Sequence, residues 1–274
     1  MSGRTGANND ITDVPGVKIG QSEDLRINTG VTVIVPDKPA IIAGDVRGGG
    51  PGTRETDLLD PSTLVDRADA VVLSGGSSWG LAAADGVAAY LGARGKGFRL
   101  IDLPGVPASP IVPAAILYDL ANGGDKNWGE APPYASLGRA ACKNIGGRMT
   151  LGRAGAGYGA RAGAGRGGVG SVSFDAGDGV IIGALMAVNS FGSVRMPGAD
   201  AFWAAPYEIG DEFGGDWPAA KPAAFDLPPD TKLAAARANT TIGVVAINLD
   251  LTQAEARRIA IMAQDGIARA IRPV

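Results

Sequence analysis

Apolar positions along the chain fall into short β-branched blocks and longer helical stretches, separated by glycine-rich loops. Val31–Val35 and Ala40–Val46 are apolar runs that predict strands, as does Ala68–Leu73. A glycine loop, Gly75–Gly80, leads into an apolar, alanine-rich helix over Leu81–Leu91. Phe98–Ile101 reads as a further strand. Ile111–Leu120 and Tyr134–Asn144 read as helices joined by the polar loop Ala121–Pro133. Gly152–Gly168 is nearly all glycine, alanine and arginine, without helix or strand period. Val169–Phe174 and Val180–Val188 predict a hairpin turned at Asp175–Gly179. Gly198–Ala238 is long, acidic and proline-rich, a length that marks a functional or disordered loop. It gives way at Asn239-Thr240-Thr241 to a strand over Ile242–Ile247. Thr252-Gln-Ala-Glu255 is a capping box. It opens the clearest helix, with apolar residues at 259, 262, 263, 267, 270 and 271. Strands and helices mix without regular βα alternation, so an α+β layered fold is expected, as a single domain over residues 1–274.

Composition narrows the chemistry. The 274 residues include 28 acidic and 25 basic side chains, for a net charge of -3. Basic residues concentrate between Ala131 and Phe174, which holds Arg139, Lys143, Arg148, Arg153, Arg161 and Arg166 and no acid. Gly198–Asp230 holds seven acids and one lysine. The two stretches are read as offsetting each other or facing water, and an acidic chain is a poor polyanion binder, so no nucleic-acid partner is expected. No histidine is present. That removes any Ser-His-Asp triad, Cys-His dyad or His-ligated metal. One cysteine, Cys142, excludes an internal disulfide and a cysteine-rich zinc site, and neither a cofactor nor a metal is expected. The N-terminus has no apolar stretch resembling a signal peptide and no run is long enough to span a membrane, so a cytoplasmic protein without a membrane partner is expected.

Three motifs compete with ordinary structural roles. Gly76-Ser-Ser-Trp-Gly80 fits G-x-S-x-G, with a strand before it and a helix after it. A Ser78 nucleophile would need a histidine, and there is none. The remaining functional role is substrate or anion contact at a helix start, with Ser77 and Trp79 as candidates, against a tight turn that lets strand and helix pack. Gly163–Gly168 fits G-x-G-x-x-G, but a strand follows it rather than a helix, which contradicts a dinucleotide site. At Asn239-Thr-Thr241 the plain reading is a turn feeding a strand. The sharper one uses the missing histidine: a hydroxyl nucleophile can instead be activated by an α-amine, whose pKa of about 7.7–8 suits general-base work. Thr240 gains that amine only if the Asn239–Thr240 bond is cut. Asn189, at a strand end, is either a polar turn residue or an oxyanion donor. Tyr118 defaults to a boundary aromatic at a helix end, and Cys142 to buried packing.

Together the segments Ile11–Gly16, Asp45–Gly49, Pro51–Asp57, Ser74–Ser77, Gly80–Gly86, Ile111–Ile116, Gly152–Gly157, Ala187–Asn189 and Asn239–Ile242 carry a resemblance. The chain resembles the L-aminopeptidase/D-amidase-esterase group of N-terminal nucleophile hydrolases, with the β-aminopeptidases and nylon-oligomer hydrolases. The resemblance implies an αββα four-layer sandwich and self-cleavage between Asn239 and Thr240. It implies Thr240 as nucleophile, its freed amine as base, Asn189 as oxyanion donor and Tyr118 as an active-site tyrosine. It also implies amide bonds of small peptides or of β-/ω-amino-acid oligomers as substrates, and a homo-oligomer, dimer or tetramer. Two positions depart from the pattern. Ala164 stands where some members carry a lysine, and the sequence ends before a segment that supplies two acidic residues. The alternative reading is therefore a catalytically incomplete relative, or a fragment, acting as a binding or assembly subunit.

Overall fold

The computed structural model describes residues 3–197, 199–217, 232 and 239–274. Two sheets stack face to face. The first has the strand order β2 (Val17–Asp24), β3 (Thr29–Pro36), β7 (Val71–Ser74), β8 (Ala114–Ile116), β5 (Thr53–Arg54). The second runs β1 (Arg4–Thr5), β11 (Gly168–Gly177), β12 (Val180–Asn189), β13 (Thr240–Ile247), antiparallel throughout. Two short pairs decorate them: β4 (Ala40–Ile41) with β6 (Arg67–Ala68), and β9 (Arg161–Ala162) with β10 (Gly165–Arg166).

Helices α1 (Ala83–Gly92) and α2 (Tyr134–Lys143) cover the outer face of the first sheet. Val31, Val33 and Val35 of β3 point towards them and pack with Val87, Leu91, Leu137 and Cys142. The two helices touch through glycine: a Cβ at Gly86 would lie 1.9 Å from the Ala135 carbonyl oxygen, and one at Gly138 2.1 Å from that of Ala83. The opposite face supplies Ile19, Ile34, Leu73 and Leu117, which meet Val169, Leu185 and Ala187 of the second sheet. The α+β class and the two-sheet core follow the expectation. Helix α3 (Gln253–Ala270) begins at the predicted capping box, with Thr252 and Glu255 bonded reciprocally, and touches β13 and the loops around Ile42 and Asp60. Among the described residues no helix is long and apolar enough to cross a membrane.

Several elements differ from the pattern reading. Ile111–Leu120 is not a helix: Ala114–Ile116 is strand β8, parallel to β7. A short apolar run buried on both faces carries no period that separates strand from helix, and Pro113 already argues against a helix interior. Tyr118 consequently follows a strand end. Phe98–Ile101 keeps only one bridge, Phe98 to Ser109, and Ala40–Val46 only its first two residues as strand. Strand β2 was not anticipated. Much of the acidic stretch Gly198–Ala238 (198, 218–231 and 233–238) lies outside the described residues.

Candidate active site

The hairpin β11–β12 and the strand β13 bring two predicted residues together. Asn189 closes β12 and Thr240 opens β13, and the two are cross-strand partners in the antiparallel ladder. Both lie on the inward side of the sheet, in step with Leu185 and Ala187 on one strand and Ile242 and Val244 on the other. The alternation of the strands therefore delivers a carboxamide and a hydroxyl to the same end of the intersheet core.

Asn189 is fully buried. Its Nδ2 donates to the Tyr118 carbonyl at 3.0 Å. Its Oδ1 accepts from the Arg161 main-chain N–H at 2.9 Å, from Lys232 Nζ at 3.1 Å and from Asn122 Nδ2 at 3.5 Å. Donors on one side and an acceptor on the other settle the orientation of the amide. Tyr118 thus joins the site through its main chain.

The Tyr118 segment is itself anchored by Asp119, which sequence reasoning missed. Asp119 is fully buried and accepts from Thr29 Oγ1 at 2.6 Å and from the Gly76 N–H at 2.8 Å. Burial pushes its carboxyl above the ordinary aspartate value, against the opposing pull of those hydrogen bonds. Asn122, whose N–H donates to the Asp119 carbonyl, spans to the Gly159 carbonyl at 2.8 Å and ties this turn to the loop before β9. The usable sequence signal was Asn122-Gly-Gly after an apolar run, which marks a turn rather than a helix.

Gly76–Gly80 forms the junction of β7 with a 3-10 turn (Ser77–Ala82) that runs into α1. Gly76 has φ +89, and a Cβ there would lie 2.1 Å from the Tyr134 ring, so this glycine serves the packing. The Ser77 N–H donates to the Leu117 carbonyl at 2.9 Å, which places this turn against the segment carrying Tyr118. Ser78 is exposed. Trp79 is half-exposed and its ring meets Trp128 edge-on, with centroids 6.2 Å apart.

Lys232 was the second omission. No period or motif singled it out within its acidic, proline-rich surroundings. Its pKa is lowered to about 8 by burial and, less, by the nearby Arg161 charge. Cys142, as expected, is buried in the helix layer, and burial raises its thiol to about 11. The six cations of the basic stretch are all exposed. Among the described residues no cluster of three or more His, Cys, Asp or Glu side chains could hold a metal.

The model of peptidase family S58 matches residues 9–274. An uncharacterized aminopeptidase of Mycobacterium bovis is 43% identical over 275 residues, covering 97% of this chain and 77% of its own length. The 6-aminohexanoate-oligomer endohydrolase of Kocuria sp. is 30% identical over 281 residues, covering 95% and 70%. Among solved structures, the L-aminopeptidase D-Ala-esterase/amidase of Ochrobactrum anthropi, described as a variant of the Ntn hydrolase fold, superposes with a TM-score of 0.70 at 22% identity, covering 100% of this chain and 72% of that one. A Burkholderia sp. β-aminopeptidase gives 0.69 at 20% identity, covering 98% and 70%. The fold is that of the Ntn-type aminopeptidases, and the chain belongs to peptidase family S58, a family of hydrolases.

Proposed function

We propose that the chain is a self-processing amidohydrolase whose nucleophile is Thr240. The observation that carries this reading is the pairing of Asn189 with Thr240 at the end of the β12–β13 ladder. In the uncut chain Thr240 Oγ attacks the Asn239 carbonyl carbon. The bond to the Thr240 nitrogen breaks, that nitrogen takes up a proton, and an ester joins Asn239 to Thr240 Oγ. Water hydrolyses the ester and leaves Thr240 with a free α-amine and a free hydroxyl. The amine then serves as base for attack on an external amide. The substrate's amine departs, and water hydrolyses the acyl-Thr240 ester. Asn189 Nδ2 is the donor assigned to the oxyanion in both reactions.

The substrates assigned are small peptides and β- or ω-amino-acid oligomers. Support comes from the aminopeptidase and 6-aminohexanoate-oligomer endohydrolase among the relatives. The Ser77–Trp79 turn, bonded to the Tyr118 segment, is the candidate substrate wall, and a homo-oligomer is the expected assembly. Turnover of chromogenic amino-acid and β-amino-acid anilides by purified protein, with Thr240→Ala beside it, tests the reading. Wild type is expected to be cut and active, and Thr240→Ala to be whole and inert. A cut or active Thr240→Ala protein overturns it.

A further inference from the structure

Of residues 218–238 the structure describes Lys232 alone, and it is held at three points. Its main-chain N–H donates to the Phe191 carbonyl at 3.1 Å. Its Nζ donates to both the Asn189 carbonyl and Asn189 Oδ1, each at 3.1 Å. The side chain is half-buried. Seven residues further along, Asn239 is followed by Thr240, which pairs with the same Asn189 across the ladder. Lys232 and Thr240 therefore both meet Asn189, and the peptide bond to be cut lies beside the second of them.

We propose that Lys232 is a positioning residue for self-cleavage, its ammonium holding and polarising the Asn189 carboxamide while the chain is continuous through Thr240. This rests on the reading of Thr240 as nucleophile and Asn189 as oxyanion donor. An ammonium on Oδ1 draws electron density from the carboxamide and makes its Nδ2–H a stronger donor to developing negative charge. The same contact tethers the chain to Asn189 seven residues before the scissile bond, which reduces the conformational freedom to be lost before attack.

The charged group facing Lys232 among the described residues is Arg161, on β9, which disfavours a second positive charge. Asp119, on the Tyr118 segment, directs its oxygens to Thr29 and Gly76 instead. Asn122 and Asn189 are neutral. Burial first, and the Arg161 charge second, lower the amine from the ordinary lysine value of 10.5 to about 8. The ammonium is the working form, so the effect is complete below that value and is lost as pH rises through it. After cleavage Asn239 is no longer joined to Thr240, and turnover depends less on Lys232 than self-cleavage does.

The test compares wild type, Lys232→Met and Lys232→Arg, following the loss of the full-length mass after a short burst of cell-free synthesis across the pH range. Lys232→Met is expected to slow self-cleavage near neutral pH on the order of tenfold or more, and to remove the falling arm near 8. Lys232→Arg, which keeps its charge, is expected to restore the rate and carry the fall to a pH above that of ordinary lysine. A wild type that cuts, with Lys232→Met cutting at the same rate and the same pH profile, overturns this proposal alone. A wild type that stays whole overturns the Thr240 reading and this proposal with it. If Lys232→Met does not fold, judged by circular dichroism, the wild-type and Lys232→Arg profiles decide: identical profiles without a fall near 8 overturn the proposal.

Discussion

The two sheets share one core but are used differently. β3 of the first sheet is buried at seven of its eight positions, because helices cover one face and the second sheet covers the other. β12 of the second sheet alternates, with residues 183, 185, 187 and 189 buried and their neighbours half-buried. Its partner β11 leaves Val172 and Phe174 exposed at 48% and 38%. A strand buried on both faces holds a polar side chain only where it has a partner, as Thr29 has in Asp119, so most of its positions serve packing. A strand that alternates can end on a buried polar residue, provided loops supply the partners. Asn189 is such a residue, with its amide bonded on both sides. The helix-covered sheet is the scaffold, and the strand ends of the other sheet hold the residues proposed for the chemistry.

That division can be broken by substitution. The largest effect expected within the site, short of removing Thr240, is from Asn189→Ala. Loss of an oxyanion donor costs about 10²–10³ in rate, read as kcat on an anilide with the processed protein. A near-wild-type kcat would take Asn189 out of that role. In the scaffold, Leu73→Ala removes a fully buried side chain between the sheets and should cost about 2–5 kcal/mol in denaturant unfolding. Its kcat, measured well below the midpoint, should change far less than for Asn189→Ala. The reverse pattern would mean that the two sheets are not separable in this way. Val172→Ala, on the exposed face of β11, should shift stability by no more than about 0.5 kcal/mol. Smallest in consequence is Cys142. With its thiol buried and raised to about 11, alkylation at pH 7.5 should be slow in the native protein and fast in denaturant. Rapid native alkylation would show that the helix layer opens.

The same contrast explains what the sequence disclosed. The hairpin of the alternating sheet was readable because its turn, Asp175–Gly179, and its apolar runs agree. Helix α3 was readable because its capping box and its period agree. The strand at Ile111–Leu120 was not, because burial on both faces erases the alternation that would have distinguished it from a helix. Thr240 and Asn189 were candidates beside ordinary turn roles until the family resemblance favoured their catalytic reading, and their pairing required the fold. Asp119 and Lys232 act on the site over separations of 43 residues to Gly76 and 43 to Asn189, and no local pattern encodes such contacts.

Everything proposed for the site depends on Thr240 freeing its own amine. Intact mass with N-terminal sequencing of freshly purified, unboiled protein addresses it directly. A separate fragment beginning Thr-Thr-Ile-Gly is expected. A single uncut species would contradict it.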